Sequence, residues 1–319
     1  MKNIISPTLL FSLFIVSCDM DTVIDLDIPS HEPVLVLNGL LDTDTDVQVV
    51  VSHSVGAFSN AIPSFINNAN VLLYKNDQFI DSLLPDLTNL IYVNYDDDYN
   101  ADSLAMYYYK SDYIPEKNTT YKVKVTHSDY TPISAETYLP DDIDVNIINI
   151  DTITNENKTG VEFDFYDDIN QENFYRLKLY TSCEKKEGYR WRGHGIIMAN
   201  DPSFGEADAF EGLFSGYSFV GREVVFNDNL FNGQQKKILL DVKIGKYDED
   251  LGFSECDTII IEFSTFSDDT YSYYNSLGDH SEKGELGLFG GEVIPVYSNV
   301  ENGLGVLIST NAQKIYLKP

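Results

Sequence analysis

Thr119-Thr120-Tyr121-Lys122-Val123-Lys124-Val125-Thr126-His127 sets Tyr121, Val123 and Val125 on one side and Lys122, Lys124 and Thr126 on the other. Side chains alternate faces along an extended chain, so this period of two predicts a β-strand with one dry and one wet face. Tyr130 to Leu139, closed by Pro140, reads as its partner strand. Working outward, Asn70–Lys75 and Gln78–Leu84 flank Asn76-Asp77, a pair suited to a tight hairpin turn. Val47, Val49 and Val51 alternate with Gln48, Val50 and Ser52, and Val34 to Gly39 is a short apolar run ending in glycine. Short β segments crowded between residues 33 and 140 predict a small antiparallel sandwich, immunoglobulin- or prealbumin-like.

Pro140-Asp141-Asp142 reads as a domain boundary, beyond which the β pattern resumes. Strands are expected over Val161–Tyr166, Phe174–Thr181, Phe219–Phe226, Ile238–Ile244, Asp257–Phe266, Glu292–Tyr297 and Gly305–Leu317. On Asp257–Phe266, Ile259, Ile261 and Phe263 share a face. One short helix is expected over Asp268–His280. Ser267-Asp268-Asp269 caps its start, and Tyr274 and Leu277 face the core. The expectation is an all-β chain of two β-sandwich-like domains, 33–140 and 141–319, with the helix in the second.

Composition narrows the function classes. Of 319 residues, 51 are acidic and 21 basic, a formal net charge of -30. Nucleic-acid binding needs clustered Lys and Arg, so no nucleic-acid partner is expected. Charge alone would also not hold the protein on an anionic membrane surface. Three cysteines are too few for a disulfide-dense scaffold or a four-cysteine zinc site.

The N-terminus supplies another route to a membrane. Lys2, an apolar run from Leu9 to Val16 and the small Ser17 make residues 1–17 a secretory signal peptide, too short to span a bilayer as a permanent helix. Ile15-Val16-Ser17-Cys18 resembles a lipobox, in which the Cys18 thiol takes up diacylglycerol and becomes the first mature residue. Residues 18–32 then form a tether. Asp19 and Asp21, just behind the cysteine, resemble the surface-export signal of Bacteroidota lipoproteins. The expected location is the outer membrane, lipid-anchored at the cell surface.

Several phrases resemble one family when taken in order. They are Glu32-Pro33-Val34-Leu35-Val36-Leu37-Asn38-Gly39, Asn68-Ala69-Asn70-Val71-Leu72-Leu73-Tyr74 and Glu172-Asn173-Phe174-Tyr175-Arg176-Leu177. Asp201-Pro202-Ser203-Phe204, Phe226-Asn227-Asp228-Asn229-Leu230-Phe231-Asn232-Gly233 and Pro295-Val296-Tyr297-Ser298-Asn299-Val300-Glu301-Asn302-Gly303-Leu304-Gly305 follow. The chain resembles the Bacteroidota lipoproteins grouped as domain of unknown function 4249, over roughly residues 18–317. The resemblance implies an outer-membrane lipoprotein associated with TonB-dependent transporters, and it brings no catalytic residues. In the last phrase, Asn302, Gly303 and Gly305 suit positive φ, while Asn299, Glu301 and Asn302 can bond nearby backbone.

Candidate chemistry is sparse. Asp96, Asp98, Asn100 and Asp102 alternate as oxygen ligands for Ca²⁺ would, but Ala101 and Tyr107 stand where an EF-hand needs Gly and Glu. Solvated acidic turns are the competing reading for that loop, for Asp42-Asp44-Asp46 and for Asp248-Glu249-Asp250. The five histidines have no zinc spacing, and no nucleophile elbow or phosphate loop is present. Cys183 and Cys256 could bridge in an oxidising compartment or stand as two buried thiols. Arg190, Trp191 and Arg192 cluster basic charge with the only tryptophan, a composition favoured at contacts. The competing reading is a hairpin whose arginines pair with nearby acids.

The function expected from these features is a non-catalytic surface accessory of a TonB-dependent transporter in nutrient uptake. The alternatives are an envelope assembly or structural lipoprotein, and a calcium-dependent surface binding module or hydrolase.

Overall fold

The structure is a computed structural model. It describes residues 31–56, 64–94, 103–153, 158–185, 190–205, 216–243, 253–284 and 295–318. Cys18 and the Asp96–Asp102 loop lie outside the described residues.

The strands up to Pro140 are β1 (Leu35–Asp42), β2 (Gln48–His53), β3 (Asn70–Lys75), β4 (Gln78–Pro85), β5 (Ile91–Asn94), β6 (Ser103–Met106), β7 (Tyr109–Lys110), β8 (Thr119–His127) and β9 (Tyr130–Leu139). The alternation of β8 is realised: Tyr121, Val123 and Val125 are fully buried, and β9 pairs alongside. Asn76 and Asp77 take φ of 47° and 62° between β3 and β4. That is the doubly left-handed turn whose twist matches a two-residue hairpin.

After Pro140 come β10 (Asn146–Ile153), β11 (Lys158–Tyr166), β12 (Phe174–Lys185), β13 (Arg190–His194), β14 (Ile196–Ala199), β15 (Phe219–Gly221), β16 (Glu223–Asn227), β17 (Gln235–Lys243), β18 (Phe253–Phe266), α1 (Asp268–Gly284) and β19 (Leu304–Leu317). The single stretch expected over Phe219–Phe226 is two strands. β15 pairs with β14 in one sheet and β16 with β12 in another, so the chain changes layers at Gly221-Arg222. Pro295–Tyr297, expected within a closing strand, is irregular.

Ser267 caps α1, its hydroxyl accepting from the Thr270 N–H at 3.3 Å. Tyr274 packs against Phe266. Leu277 does not face the core; it is half-exposed on the outer side of the helix. The spacing of Tyr271, Tyr274 and Leu277 suggested one stripe, but aromatic contacts to Phe174 and Phe266 draw the buried side toward the tyrosines.

The protein is all-β and sandwich-like. A 12-stranded sheet runs β13-β12-β18-β19-β1-β2-β7-β4-β3-β8-β9, with β16 beside β12, and a 5-stranded sheet runs β10-β11-β17-β14-β15. One core lies where the long sheet turns back on itself, around Leu37, Val49, Leu73, Tyr109, Tyr121 and Val123. The short β7 makes that turn, linking β2 on one side to β4 on the other. A second core lies between the 5-stranded sheet and β12, β16 and β18, around Phe163, Phe165, Tyr175, Phe226, Leu240 and Phe263.

The cores fall on either side of Pro140 in sequence, except that Val300 and the start of β19 belong to the first core. β19 pairs in parallel with β1 through Leu304–Thr310 and antiparallel with β18 through Thr310–Leu317. Its Leu307 belongs to the first core and its Leu317 to the second. Pairing is therefore antiparallel throughout the first core except for this β1–β19 contact. Pro33–Pro319 forms one compact unit.

Candidate functional site

Two places gather the residues that chemistry or contact would use: the junction of the two cores and the β13 edge.

At the junction, β19 has a stretch that no strand among the described residues flanks on the side that β18 later occupies. Side chains stand in for the missing strand. The Asn299 amide donates to the Leu307 carbonyl at 2.8 Å and accepts from the Leu307 N–H at 2.9 Å. The Thr270 hydroxyl does the same for Ser309, donating to its carbonyl at 2.8 Å and accepting from its N–H at 3.0 Å. Each supplies one donor and one acceptor, as a neighbouring peptide would.

The same segment closes the free edge of β9 and the boundary after it. The Glu301 N–H donates to the Ser134 carbonyl at 2.8 Å, and the Asn299 amide to the Glu136 carbonyl at 3.0 Å. Ser309 donates to the Tyr138 carbonyl, Asn311 to Pro140 at 3.2 Å and Gln313 to Ile143 at 2.6 Å. Thr137, Ser267, Thr270 and Ser309 form a buried hydroxyl cluster behind these bonds. Pro140-Asp141-Asp142 has the composition of a linker and the bonding of a seam.

A cleft of about 520 Å³ opens beside this seam. It presents Asp141, Asp142, Asp168, Glu172, Asp268 and Asp269, with Tyr138 and Tyr166 among its walls. Several of these carboxylates have partners. Lys117 binds both Asp142 and Asp141, the latter at 3.2 Å, and holds the Asp142 carboxyl below its ordinary range. Asp168 accepts from the Asn170 N–H at 3.0 Å and its amide at 2.7 Å. Asp269 accepts from the Tyr297 hydroxyl at 2.6 Å, and burial raises its pKa despite that bond. Just beneath, burial also raises the Asp167 pKa, while Tyr175 and the Gly233 N–H donate to its carboxylate. Among the described residues, no group of His, Cys, Asp and Glu is arranged to hold a metal ion.

At the far end of the long sheet, β13 is an edge strand paired only with β12 among the described residues. Arg190 and Arg192 come together there with Trp191 between them. Arg190 forms an ion pair with Asp257 and donates to Ser182 Oγ at 3.2 Å. The Arg190 guanidinium beside Asp257 lowers the pKa of its carboxyl. The Arg192 guanidinium lies over the Tyr180 ring, 5.1 Å from its centroid. Cys183 sits opposite Trp191 on one side and is bonded to Cys256 on the other, so the disulfide ties β12 to β18. The backbone of Trp191 is in the strand; its side chain lies outside the described residues.

Asp42 is a turn residue: its carboxylate accepts from the N–H groups of Asp44 and Thr45 at 2.8 and 2.7 Å. The seam and the cleft were not anticipated. Their signal was Ser309, Asn311 and Gln313 alternating inside an apolar strand, where a free surface would not require amides.

The family model described as Domain of unknown function (DUF4249) matches residues 21–315. The chain belongs to this family. No curated protein matches the chain. Among solved structures, the family member is similar to a Parabacteroides merdae β-glucuronidase at 10% identity and TM-score 0.20. That match covers 91% of this chain and 24% of the other, so the chain spans about a quarter of the glucuronidase. The B domain of a biofilm-associated protein matches at 9% identity and TM-score 0.19, covering 88% of this chain and 85% of that one. Likeness at this level carries no argument about activity. No helix among the described residues is long and apolar enough to cross a membrane.

Proposed function

We propose that the protein is a non-catalytic, lipid-anchored accessory of the Bacteroidota outer membrane that serves a TonB-dependent transporter in nutrient uptake. Cys18 carries the lipid, residues 18–32 are the tether, and the β scaffold stands at the cell surface. Anchoring raises local concentration beside the channel without any new contact.

The seam carries the reading. Thr137, Ser267, Thr270, Ser309 and Asn311 are engaged with each other or with backbone, in a pattern that makes one scaffold of two cores. The buried Asp167 and Tyr175 and the half-buried Asp269 are likewise held in structural hydrogen bonds. Such a body suits presentation of a fixed surface, with loops and edges making the contacts.

The test is quantitative co-purification of the tagged, lipidated protein from native outer membranes in mild detergent. A transporter at near-equal amount supports the reading. Assembly machinery in its place, or recovery alone, contradicts it. Cys18→Ala tests the anchor separately: the variant should leave the membrane fraction, and retention there would refute lipidation at this residue.

A further inference from the structure

The β5–β6 ribbon, a two-stranded sheet of its own, exposes apolar side chains, as does the turn before it at Leu84, Leu87 and Leu90. The outer face of the long sheet exposes charge and aromatic rings together. One side of β12, β18 and β19 packs the second core through Leu177, Leu179, Ile261 and Leu317. On the other side, His194, Tyr180, Ile260 and Tyr316 stand opposite one another in a row across β13, β12, β18 and β19. Residues directly opposite on neighbouring strands share a face. Tyr316 is 62% exposed, Arg192 and His194 are exposed, and Ile260 is buried between the two tyrosines of the row.

This face is cationic on an anionic molecule. Its described charged side chains are Arg176, Lys178, Arg190, Arg192 and Lys314 against Glu223, Asp257 and Glu262. Each acid already has a cation. Arg190 pairs with Asp257, Lys178 with Glu223 at 3.1 Å, and Glu262 has Lys314 at 3.8 Å and Arg176 at 4.0 Å. Arg192 makes no ion pair among the described residues and rests on the Tyr180 ring. Two positive charges are left over, in a chain of net charge -30. Arg176 is buried and donates to the Tyr274 hydroxyl at 2.8 Å, so Arg192 and Lys314 are the cations an incoming group meets. Charges beyond about 8 Å are largely screened at physiological salt. Three strand spacings make the face about 14 Å wide, so its own sign governs what approaches it.

Shape and charge select the occupant. A sheet surface is flat where small-molecule sites are concave, and Arg and Tyr are side chains that protein contacts favour. An anionic bilayer would meet the negative charge of the rest of the molecule. Two copies of the chain carry -30 each and repel. A partner protein whose carboxylates flank an apolar centre matches both the leftover cations and the tyrosine row.

We propose that the outer face of β13, β12, β18 and β19, centred on Tyr180, Arg192, Lys314 and Tyr316, docks a protein partner through that partner's carboxylates. The proposal rests on the accessory reading and names the face it uses. The test repeats the native co-purification with Arg192→Gln/Lys314→Gln and, separately, Tyr316→Ser. Lys124→Gln, which removes an exposed cation from β8, is the control, and unchanged melting of each variant verifies folding. The double variant should lower partner recovery about tenfold and flatten its fall with added salt. Tyr316→Ser should lower recovery at every salt concentration. Photo-crosslinking from p-benzoylphenylalanine in place of Tyr316, in an otherwise wild-type chain, should map to an acidic face of the partner, a readout that does not need either variant to fold. Wild-type recovery by both folded variants, or crosslinks to a partner face without carboxylates, overturns this surface and leaves the accessory reading standing. A wild type that brings down no partner overturns both. Crosslinks between two copies of this chain, or flotation of the wild type with phosphatidylglycerol vesicles that the double variant abolishes, would also overturn it.

Discussion

The seam between the cores and the β5–β6 ribbon use the same materials in opposite ways. At the seam, buried polar side chains bond to each other and to backbone, with the Thr310 hydroxyl the exception; Thr270 and Ser309 are fully buried, and each completes the other's hydrogen bonding. At the ribbon, apolar side chains are exposed from a turn that Asp86 holds in place. The first arrangement is closed within the chain but for the Thr310 hydroxyl. The second is ordered but uncovered. Order and completeness are thus separate properties of the fold.

The comparison can be broken most readily at Thr270. Thr270→Val keeps the volume and removes the hydroxyl, leaving the buried N–H and carbonyl of Ser309 without partners. At about 1–3 kcal/mol for each unsatisfied buried group, the loss should be near 3 kcal/mol in denaturant unfolding. A cost within experimental error would show that the strand-mimicking bonds matter little. Asn299→Leu is next. Its amide serves Leu307 and Glu136 from a partly buried position where water can substitute in part, so about 1–2 kcal/mol is expected from the same measurement. A larger loss than Thr270→Val would reverse the order of importance proposed for the two bridges.

Asp269 sharpens the comparison through pH. Its unfolded pKa is near 3.8 and its folded value is higher, because burial disfavours the charge. Folding therefore binds the proton more tightly. The stability from this group is full below 3.8 and is lost as pH rises toward the folded value. Asp269→Asn should gain on the wild type over that rise, in paired thermal melts across pH. A difference independent of pH would place the charge in solvent. The smallest effect belongs to the ribbon. Leu87→Ser/Tyr92→Ser should change unfolding free energy by no more than about 0.5 kcal/mol, because the side chains are already wet. A drop of several times that would mean they pack within the chain.

Local periodicity explains what was legible beforehand. Tyr121, Val123 and Val125, or Ile259, Ile261 and Phe263, announce a buried face by spacing alone, and all are buried. Asn76-Asp77 announced its turn because few residues accept two left-handed conformations in succession. Long-range pairing carries no such mark. Val306-Leu307-Ile308 reads as an apolar run, and nothing in it says that β19 will lie parallel to β1. Phe219–Phe226 has one unbroken β composition, so its division between two sheets was hidden. Leu277 was misplaced because helical spacing cannot decide which of two neighbouring stripes meets the aromatic surface of β12 and β18. For Cys183 and Cys256, sequence left a bridge and two thiols equally open; the β12–β18 register sets them opposite each other and the two sulfurs are bonded. Arg190 proved to be a paired edge residue, engaged with Asp257, while Arg192 is stacked on Tyr180.

The central claim is that β19 and the seam make one scaffold of two cores. Native-state hydrogen exchange of the mature chain tests it most directly, by comparing the Val123 amide of the first core with the Ile261 amide of the second. The account predicts the same opening free energy for both, with both falling together in Thr270→Val. Exchange of one core at a clearly lower free energy, with the other still protected, would contradict it.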